Sequence, residues 1–302
     1  MLTMPGIRDG LAASLDSQPL AAMTMKGRRI RSHDSFMSRR FMSRFVAALM
    51  LLSAASARAS IPQYSAEIVH VYPHDPAAFT EGLFYRNGHF YESTGLNGHS
   101  SIREVEVETG KVLKQHDIGS AYFGEGIVDW KDRLIGLTYT TEVGFVFDIG
   151  DFTQTGTFHY KGEGWGLTRD ASHIYMSDGT ADLRILQPET LRQIGTIHVT
   201  CDGAPLKNLN ELEWVNGQIY ANVWLTHVMV RIDPSTGDVV GIIDLADLLA
   251  LASANRTVDV LNGIAYDAAG NRLFVTGKLW PAMFQIQLSD KPAGTMSCPV
   301  LK

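Results

Sequence analysis

Short hydrophobic stretches alternate with polar turns along most of this chain. Residues 64–72 alternate loosely between apolar and polar positions, which predicts a β-strand. Hairpin turns are predicted at dipeptides such as Asn87-Gly88 and Asn216-Gly217. The clearest further strands are predicted at 82–85, 89–93, 101–106, 112–117, 133–139, 144–148, 174–177, 183–186, 272–276 and 283–288. The leucine-rich stretch 245–254 predicts a short helix.

A short sequence phrase recurs where new strands begin. Glycine stands beside a polar or aromatic residue just before a hydrophobic strand, as in Glu81-Gly82 and Glu125-Gly126. The steps from Gly82 to Gly126, Gly166, Leu212 and Ile264 are 44, 40, 46 and 52 residues. A period of about 40–50 residues with several strands per unit indicates a β-propeller. The fifth unit lacks a fourth strand, which 64–72 can supply, so we predict an all-β, five-bladed β-propeller closed by an N-terminal strand.

Residues 1–59 differ in composition from the rest. They hold nine Lys or Arg against three Asp, and three arginines precede an apolar run that starts at Phe45. A basic segment, a short apolar core and small residues ending at Ala59 are typical of a secretory signal peptide. The run is shorter than the roughly 20 residues of a membrane-spanning helix. We expect a leader over 1–59, of which 1–36 are an over-called start, and a single catalytic domain over 60–302 that is periplasmic or secreted.

The chain beyond the leader is acidic. It holds 17 Lys or Arg and 29 Asp or Glu, a net charge of −12. This charge argues against nucleic acid or an anionic membrane as a partner, and we expect a monomer. Cys201 and Cys298 can form one disulfide in an oxidising compartment or stay as two free thiols, and the sequence leaves both open.

In a propeller, the residues that enter the first strand of each unit meet at one mouth of a central channel. This predicts convergence of four carboxyl groups: Glu81, Glu125, Glu163 and Glu211. Clustered carboxyl groups cannot all ionise freely, so at least one should have a raised pKa. Five other side chains at strand ends are expected at the same mouth: Tyr139, Trp165, Trp224, Trp280 and Lys278.

Each of these residues also has a purely structural interpretation. The carboxylates can cap backbone N–H groups at the strand entries, the tryptophans can pack between blades, and Lys278 can be a surface residue. Trp130 and Trp214 are expected in the core. The sequence contains no metal-site histidine spacing, nucleophile elbow, phosphate loop or dinucleotide motif. No metal or cofactor is therefore expected.

Taken in order, the motifs resemble those of the plant-type glutaminyl-peptide cyclotransferases, or glutaminyl cyclases, over essentially all of the mature chain. The resemblance rests on 79–83, 91–95, 100–103, 123–126, 137–139, 163–167, 209–213, 222–224, 261–265 and 275–281. It implies a five-bladed propeller and an acyltransferase that acts on N-terminal glutaminyl peptides or proteins. The reaction converts the glutamine to pyroglutamate and releases ammonia.

The resemblance also implies roles for individual residues. Glu125 matches the catalytic glutamate, a general base and acid, with Asn210 and Lys278 as its polar partners. Glu81 is implied at the edge of a substrate pocket lined by Phe79, Phe123, Trp165 and Trp224. Tyr139 is also expected in that lining, where plant relatives should have a tryptophan.

Two other functions are consistent with a charged propeller mouth. Five-bladed glycosidases also place carboxylates at the channel mouth, and a lactone-hydrolysing propeller would use a metal there and lose activity with a chelator. A non-catalytic periplasmic binding propeller would show no turnover. A sugar and lactone screen would separate these alternatives from the cyclase.

Overall fold

The turn-bounded hydrophobic stretches form short strands in the computed structural model, which describes residues 60–299. The predicted all-β class is confirmed, and the predicted leader lies outside the described residues. The first strands are β1 Gln63–Pro73, β2 Thr80–Arg86, β3 His89–Thr94, β4 Ser101–Glu106, β5 Val112–Asp117, β6 Gly124–Trp130, β7 Arg133–Thr138, β8 Val143–Asp148, β9 Gln154–His159, β10 Leu167–Arg169, β11 Ile174–Met176, β12 Asp182–Leu186 and β13 Gln193–His198. They are followed by β14 Thr200–Cys201, β15 Ala204–Pro205, β16 Leu209–Val215, β17 Gln218–Val223, β18 Val228–Ile232, β19 Val239–Asp244, α1 Ala246–Ser253, β20 Leu261–Asp267, β21 Arg272–Gly277 and β22 Ala282–Lys291.

Most strands fall into antiparallel sets of four. The sets are β2 to β5, β6 to β9, β10 to β13, β16 to β19, and β20 to β22 with β1. As predicted, the N-terminal strand completes the last set by pairing with β22. Gln63–Ser65 of β1 also pair in parallel with Ile242–Asp244 of β19, so two sets merge into one eight-stranded sheet. The count of five blades therefore stays a prediction.

The first strands of the five sets contact one another in a closed cycle, β2, β6, β10, β16, β20 and back to β2. Glycines permit this close approach. A Cβ atom on Gly126 would lie 2.6 Å from the Cα of Gly166, and one on Gly166 would lie 2.2 Å from the carbonyl oxygen of Asn210. The recurring glycine of the sequence phrase is therefore required by backbone contact between neighbouring first strands.

Apolar side chains fill the spaces between neighbouring sets. Phe84 and Ile102 of the first set, for example, belong to one buried cluster with Ile127, Leu134 and Phe147 of the second. Burial of such faces is the main favourable contribution to folding. No helix among the described residues has the length and apolar character needed to cross a membrane.

The C-terminal tail is held to the body by a disulfide and by hydrogen bonds. Cys201 and Cys298 are bonded, with their Cα atoms 5.8 Å apart. The buried side chain of Gln63 donates to the backbone oxygen of Met296 at 2.7 Å and accepts from its N–H at 2.8 Å. Of the two alternatives left by the sequence, the structure has the pair rather than two free thiols.

Candidate active site

A pocket of about 390 Å³ opens where the first strands begin. All nine residues expected at the substrate site line it: Phe79, Glu81, Phe123, Glu125, Tyr139, Trp165, Asn210, Trp224 and Lys278. Two further residues, Leu225 and Asp259, complete the lining. The structure thus brings together side chains that are up to about 200 positions apart in sequence and come from all five sets.

Two positions that recur between units supply six of the eleven residues that line this pocket. The first lies at the start of the first strand, where the register of β2, β6, β16 and β20 shifts by a β-bulge. Bulges re-aim side chains, and here they carry Glu81, Glu125 and Asn210. The second position directly follows the second strand and holds Tyr139, Trp224 and Lys278 in three of the sets.

Glu81, Glu125 and Lys278 form a buried charged group at the inner end of the pocket. The exposed fraction is 1% for Glu81 and 6% for Glu125. The Nζ atom of Lys278 lies 2.7 Å from both carboxylate oxygens of Glu81 and 4.7 Å from the centre of the Phe79 ring. A buried lysine with one ion-pair partner therefore fixes the orientation of Glu81.

The two carboxyl groups interact directly. Burial raises the pKa of Glu81 to about 7 against the opposing charge of Lys278. Burial and the nearby charge of Glu81 raise the pKa of Glu125 well above its usual value, and Glu163 adds to this rise. A hydrogen bond between the pair lowers the pKa of Glu81 and raises that of Glu125, as expected when protonated Glu125 donates to ionised Glu81. The pair can therefore hold and transfer one proton near neutral pH.

The remaining walls supply one amide and several aromatic rings. Asn210 is buried, and its side-chain amide makes no hydrogen bond within the described residues. The rings of Trp165 and Trp224 meet edge to face with centroids 5.5 Å apart. Phe123 lies between Phe79 and Tyr139, at centroid distances of 6.2 and 5.9 Å. These rings enclose a space that suits a small, mostly apolar group with a polar end.

Three residues expected at the mouth lie elsewhere or act differently. Glu211 is fully buried and accepts backbone N–H groups of Leu83 and Ile264 at 3.3 and 2.8 Å, so it fills the space between three first strands. The convergence predicted for it is wrong, because Glu211 occupies the glycine position of the phrase rather than the position before it. Burial raises its pKa well above the usual value.

Glu163 and Trp280 also depart from the expectation. Glu163 is half-buried beside the pocket rather than in its lining, and accepts a hydrogen bond from Nε1 of Trp165 at 2.8 Å. Trp280 is fully buried in the core next to Phe284. Its Nε1 donates to the backbone oxygen of Asp259 at 3.0 Å, so it supports the pocket wall from behind. Trp130 and Trp214 pack against core clusters as expected, but both are only half-buried and lie near the far ends of their strands.

Two pocket residues, Leu225 and Asp259, were not predicted from the sequence. Leu225 follows Trp224 and adopts a left-handed backbone conformation with φ of 62°. Asp259 lies three residues before Asn262, in the segment that links α1 to β20. Aligning the five units on the glycine position would have suggested Leu225, which follows a pocket position, but nothing in the repeat indicates Asp259.

A buried polar network lies behind Glu81 and Lys278. The Glu92 carboxylate accepts from Oγ1 of Thr80 at 2.7 Å and from Arg103 at 2.6 Å, and it lies 2.9 Å from Nε2 of His74. Nδ1 of His74 lies 2.7 Å from the backbone oxygen of Trp280. The network therefore connects Thr80, next to Glu81, with Trp280, just after Lys278. It holds in place the two backbone segments that carry the Glu81–Lys278 ion pair.

A second cavity, of about 650 Å³, lies at the other ends of the same first strands. Its charged groups are mostly paired. Asp129 accepts from Arg86 at 2.7 Å and from Arg169 at 2.7 and 3.0 Å. Glu213 is buried and accepts the N–H of Tyr266 at 2.8 Å, and burial raises its pKa to about 8. Within residues 60–299, no group of three or more His, Cys, Asp or Glu is placed to hold a metal ion.

Comparisons with known proteins agree on one family. The chain matches the family model described as glutamine cyclotransferase over residues 42–288. It is 42% identical over 231 residues to the glutaminyl-peptide cyclotransferase of Arabidopsis thaliana, covering 75% of this chain and 72% of the plant protein. It also matches the crystal structure of Myxococcus xanthus glutaminyl cyclase with a TM-score of 0.73 and 36% identity, covering 77% of this chain and all of the other. This chain therefore belongs to the glutamine cyclotransferase family.

Proposed function

We propose that this protein is a glutaminyl-peptide cyclotransferase, which converts the N-terminal glutamine of peptides or proteins to pyroglutamate with release of ammonia. The observation that carries the proposal is the buried pair Glu81–Glu125 at the inner end of an aromatic pocket that also holds Lys278 and Asn210. Family membership supports the same reaction and does not favour a sugar- or lactone-hydrolysing propeller or a pure binding protein.

The reaction requires the substrate's α-amine to attack its own side-chain amide carbon. The free α-amine has a pKa of about 7.7–8.0, so a fraction is neutral and nucleophilic near pH 7. Ring closure is intramolecular, and a pocket that holds the glutamine folded removes much of the entropic barrier. The aromatic walls of Phe123, Trp165 and Trp224 suit this confinement.

A single carboxyl group can balance the protons of the reaction. As the C–N bond of the ring forms, the carboxylate form of Glu125 takes the proton from the α-amine. Glu125 then gives that proton to the side-chain nitrogen, whose bond to carbon breaks, and ammonia leaves. A raised pKa suits this double role, because the group must both accept and donate near neutral pH, and such catalysis typically contributes 10²–10⁴-fold.

The negative charge that develops on the amide oxygen needs a hydrogen-bond donor. The Asn210 side-chain amide is unpartnered within the described residues and faces the pocket, so it is free to donate. Lys278 is already paired with Glu81. We therefore assign the oxyanion contact to Asn210 and the orientation of Glu81 to Lys278.

The direct test is product formation from a short peptide with N-terminal glutamine, followed by ammonia release and mass spectrometry of the peptide. We expect release well above the spontaneous rate and a product lighter by one ammonia. The same peptide acetylated at its N-terminus lacks the attacking amine and should give no ammonia. Release from the acetylated peptide would indicate a side-chain amidase, and no release from either would overturn the proposal.

A further inference from the structure

We propose that Asp259 is a specificity-determining residue that favours substrates with lysine or arginine directly after the N-terminal glutamine. This inference rests on the proposed function. It concerns the rim of the pocket rather than the reacting groups at its inner end.

The exposed part of the pocket is small and well defined. The polar groups assigned to the reaction are all buried, so the glutamine must lie deep and the rest of the peptide must leave past the rim. Three lining residues are exposed there: Tyr139 at 37%, Leu225 at 53%, and Asp259. Asp259 is the charged member of this rim.

The backbone of Asp259 is fixed from both sides. Its N–H donates to the backbone oxygen of Lys278 at 2.9 Å, and its carbonyl oxygen accepts from Nε1 of the fully buried Trp280 at 3.0 Å. The residue is therefore tied to the wall that also carries the Glu81–Lys278 pair. A fixed charge discriminates between ligands better than a mobile one, because less ordering is required on binding.

The carboxylate itself remains available to a ligand. Its hydrogen bond within the described residues is to the N–H of the next residue, Val260, at 2.6 Å, and no Lys, Arg or His of those residues forms an ion pair with it. The charge of Asp259 is near enough to raise the pKa of Glu81. Asp259 thus lines the same pocket as Glu81 and lies within electrostatic reach of its inner end.

A second rim residue, Leu225, offers an apolar contact for the stem of a lysine or arginine side chain. Leu225 lies two residues beyond the fourth set's second strand, and Asp259 lies two residues before the first strand of the fifth set. Lysine and arginine carry an apolar stem and a charged head. The stem can contact exposed Leu225 while the head reaches Asp259, whereas an acidic side chain would meet like charges from Asp259 and the carboxyl pair below it.

The test compares three peptides that differ only in the second residue: Gln-Lys-Ala-amide, Gln-Ala-Ala-amide and Gln-Glu-Ala-amide. For the unmodified protein we expect kcat/KM to fall in that order, by roughly two- to fivefold at each step, the range of exposed ion pairs. Asp259→Asn should bring the values of the lysine and alanine peptides together and narrow the whole spread, leaving only the part of the glutamate penalty that comes from the carboxyl pair, and Asp259→Lys should place the glutamate peptide above the lysine peptide. The spread should also shrink at high salt.

Glu108→Gln is the matched control, because it removes one exposed acid from the β4–β5 turn at the opposite end of its set. It should leave the order and spread unchanged. The inference is overturned if Asp259→Asn preserves the spread, or if Glu108→Gln reduces it equally, which would indicate a general field. If the unmodified protein releases ammonia from Gln-Ala-Ala-amide, a failed specificity test leaves the proposed function in place. If it releases no ammonia from that peptide, both the proposed function and the role of Asp259 are overturned.

Discussion

The two ends of the first strands hold the same kind of group in different surroundings. At the pocket end Glu125 is buried against Glu81, and at the other end Glu213 is buried near Asp129. Burial raises the pKa of both Glu125 and Glu213. Yet Glu213 accepts a backbone N–H of Tyr266, and Asp129 is held by two arginines.

At the pocket end Lys278 compensates Glu81, but the Glu125 side chain has no such ion pair or backbone donor within the described residues. Glu125 has a second carboxyl group as its partner, and the amide of Asn210 is unpartnered within the described residues. Aromatic rings form most of the pocket wall there, whereas the lining of the far cavity mixes rings such as Trp214 with charged groups that are mostly paired. A raised pKa therefore reports burial at both ends and does not by itself identify a reactive site. The pocket end is identified by its unpaired polar groups beside an apolar space that a substrate can occupy.

The largest expected difference between the two ends is in turnover. Glu125→Gln should lower kcat by roughly 10²–10⁴-fold, because the amide cannot shuttle the proton. Glu213→Gln keeps an oxygen that can accept the N–H of Tyr266, and it should change kcat less than about twofold. Ammonia release measures both, and circular dichroism with thermal unfolding should show that both variants are folded. Equal losses in the two variants would remove the distinction between the ends.

A smaller effect is expected in the pH dependence of turnover. The charge of Glu81 contributes to the raised pKa of Glu125, so Glu81→Gln should lower that pKa and populate the carboxylate form at lower pH. The acid limb of kcat should then move to lower pH, while Glu213→Gln leaves it in place. An unchanged acid limb in Glu81→Gln would mean that the carboxyl pair does not control the titration of the catalytic group.

The smallest effect should appear in stability at the far end. The folded pKa of Glu213, about 8, lies above its ordinary value of 4.5, so between these pH values the folded state keeps a proton that the unfolded state has lost. Its contribution therefore falls as pH rises through that window, by at most about 1.4 kcal/mol per pH unit. The free energy of unfolding, measured with urea at several pH values from 5 to 8, should depend less on pH for Glu213→Gln than for the unmodified protein. The same pH dependence in both proteins would contradict a raised pKa of Glu213.

Local pattern was sufficient for most of the elements. Turn dipeptides and alternating positions predicted strands such as Ser101–Glu106 and Val112–Asp117 at their observed bounds, and the leucine spacing predicted α1 within one residue at each end. The repeat predicted that the N-terminal strand completes the last set. These features depend on the chemistry of neighbouring residues and on a spacing visible in one chain.

The sequence by itself determined the all-β class, the strand order and the residues that gather at the pocket, since motif order and a family resemblance carry that information. The family resemblance singled out Glu125 as the catalytic candidate, but the repeat also placed Glu211 at the same mouth. Only the tertiary structure separated the two positions, because Glu125 lines the pocket whereas Glu211, one position further along its strand, accepts backbone N–H groups between the strands. The position of Asp259 at the pocket rim was likewise decided by the tertiary structure. Its backbone hydrogen bonds to Lys278 and Trp280 join residues about 20 positions apart and form only once the chain has folded.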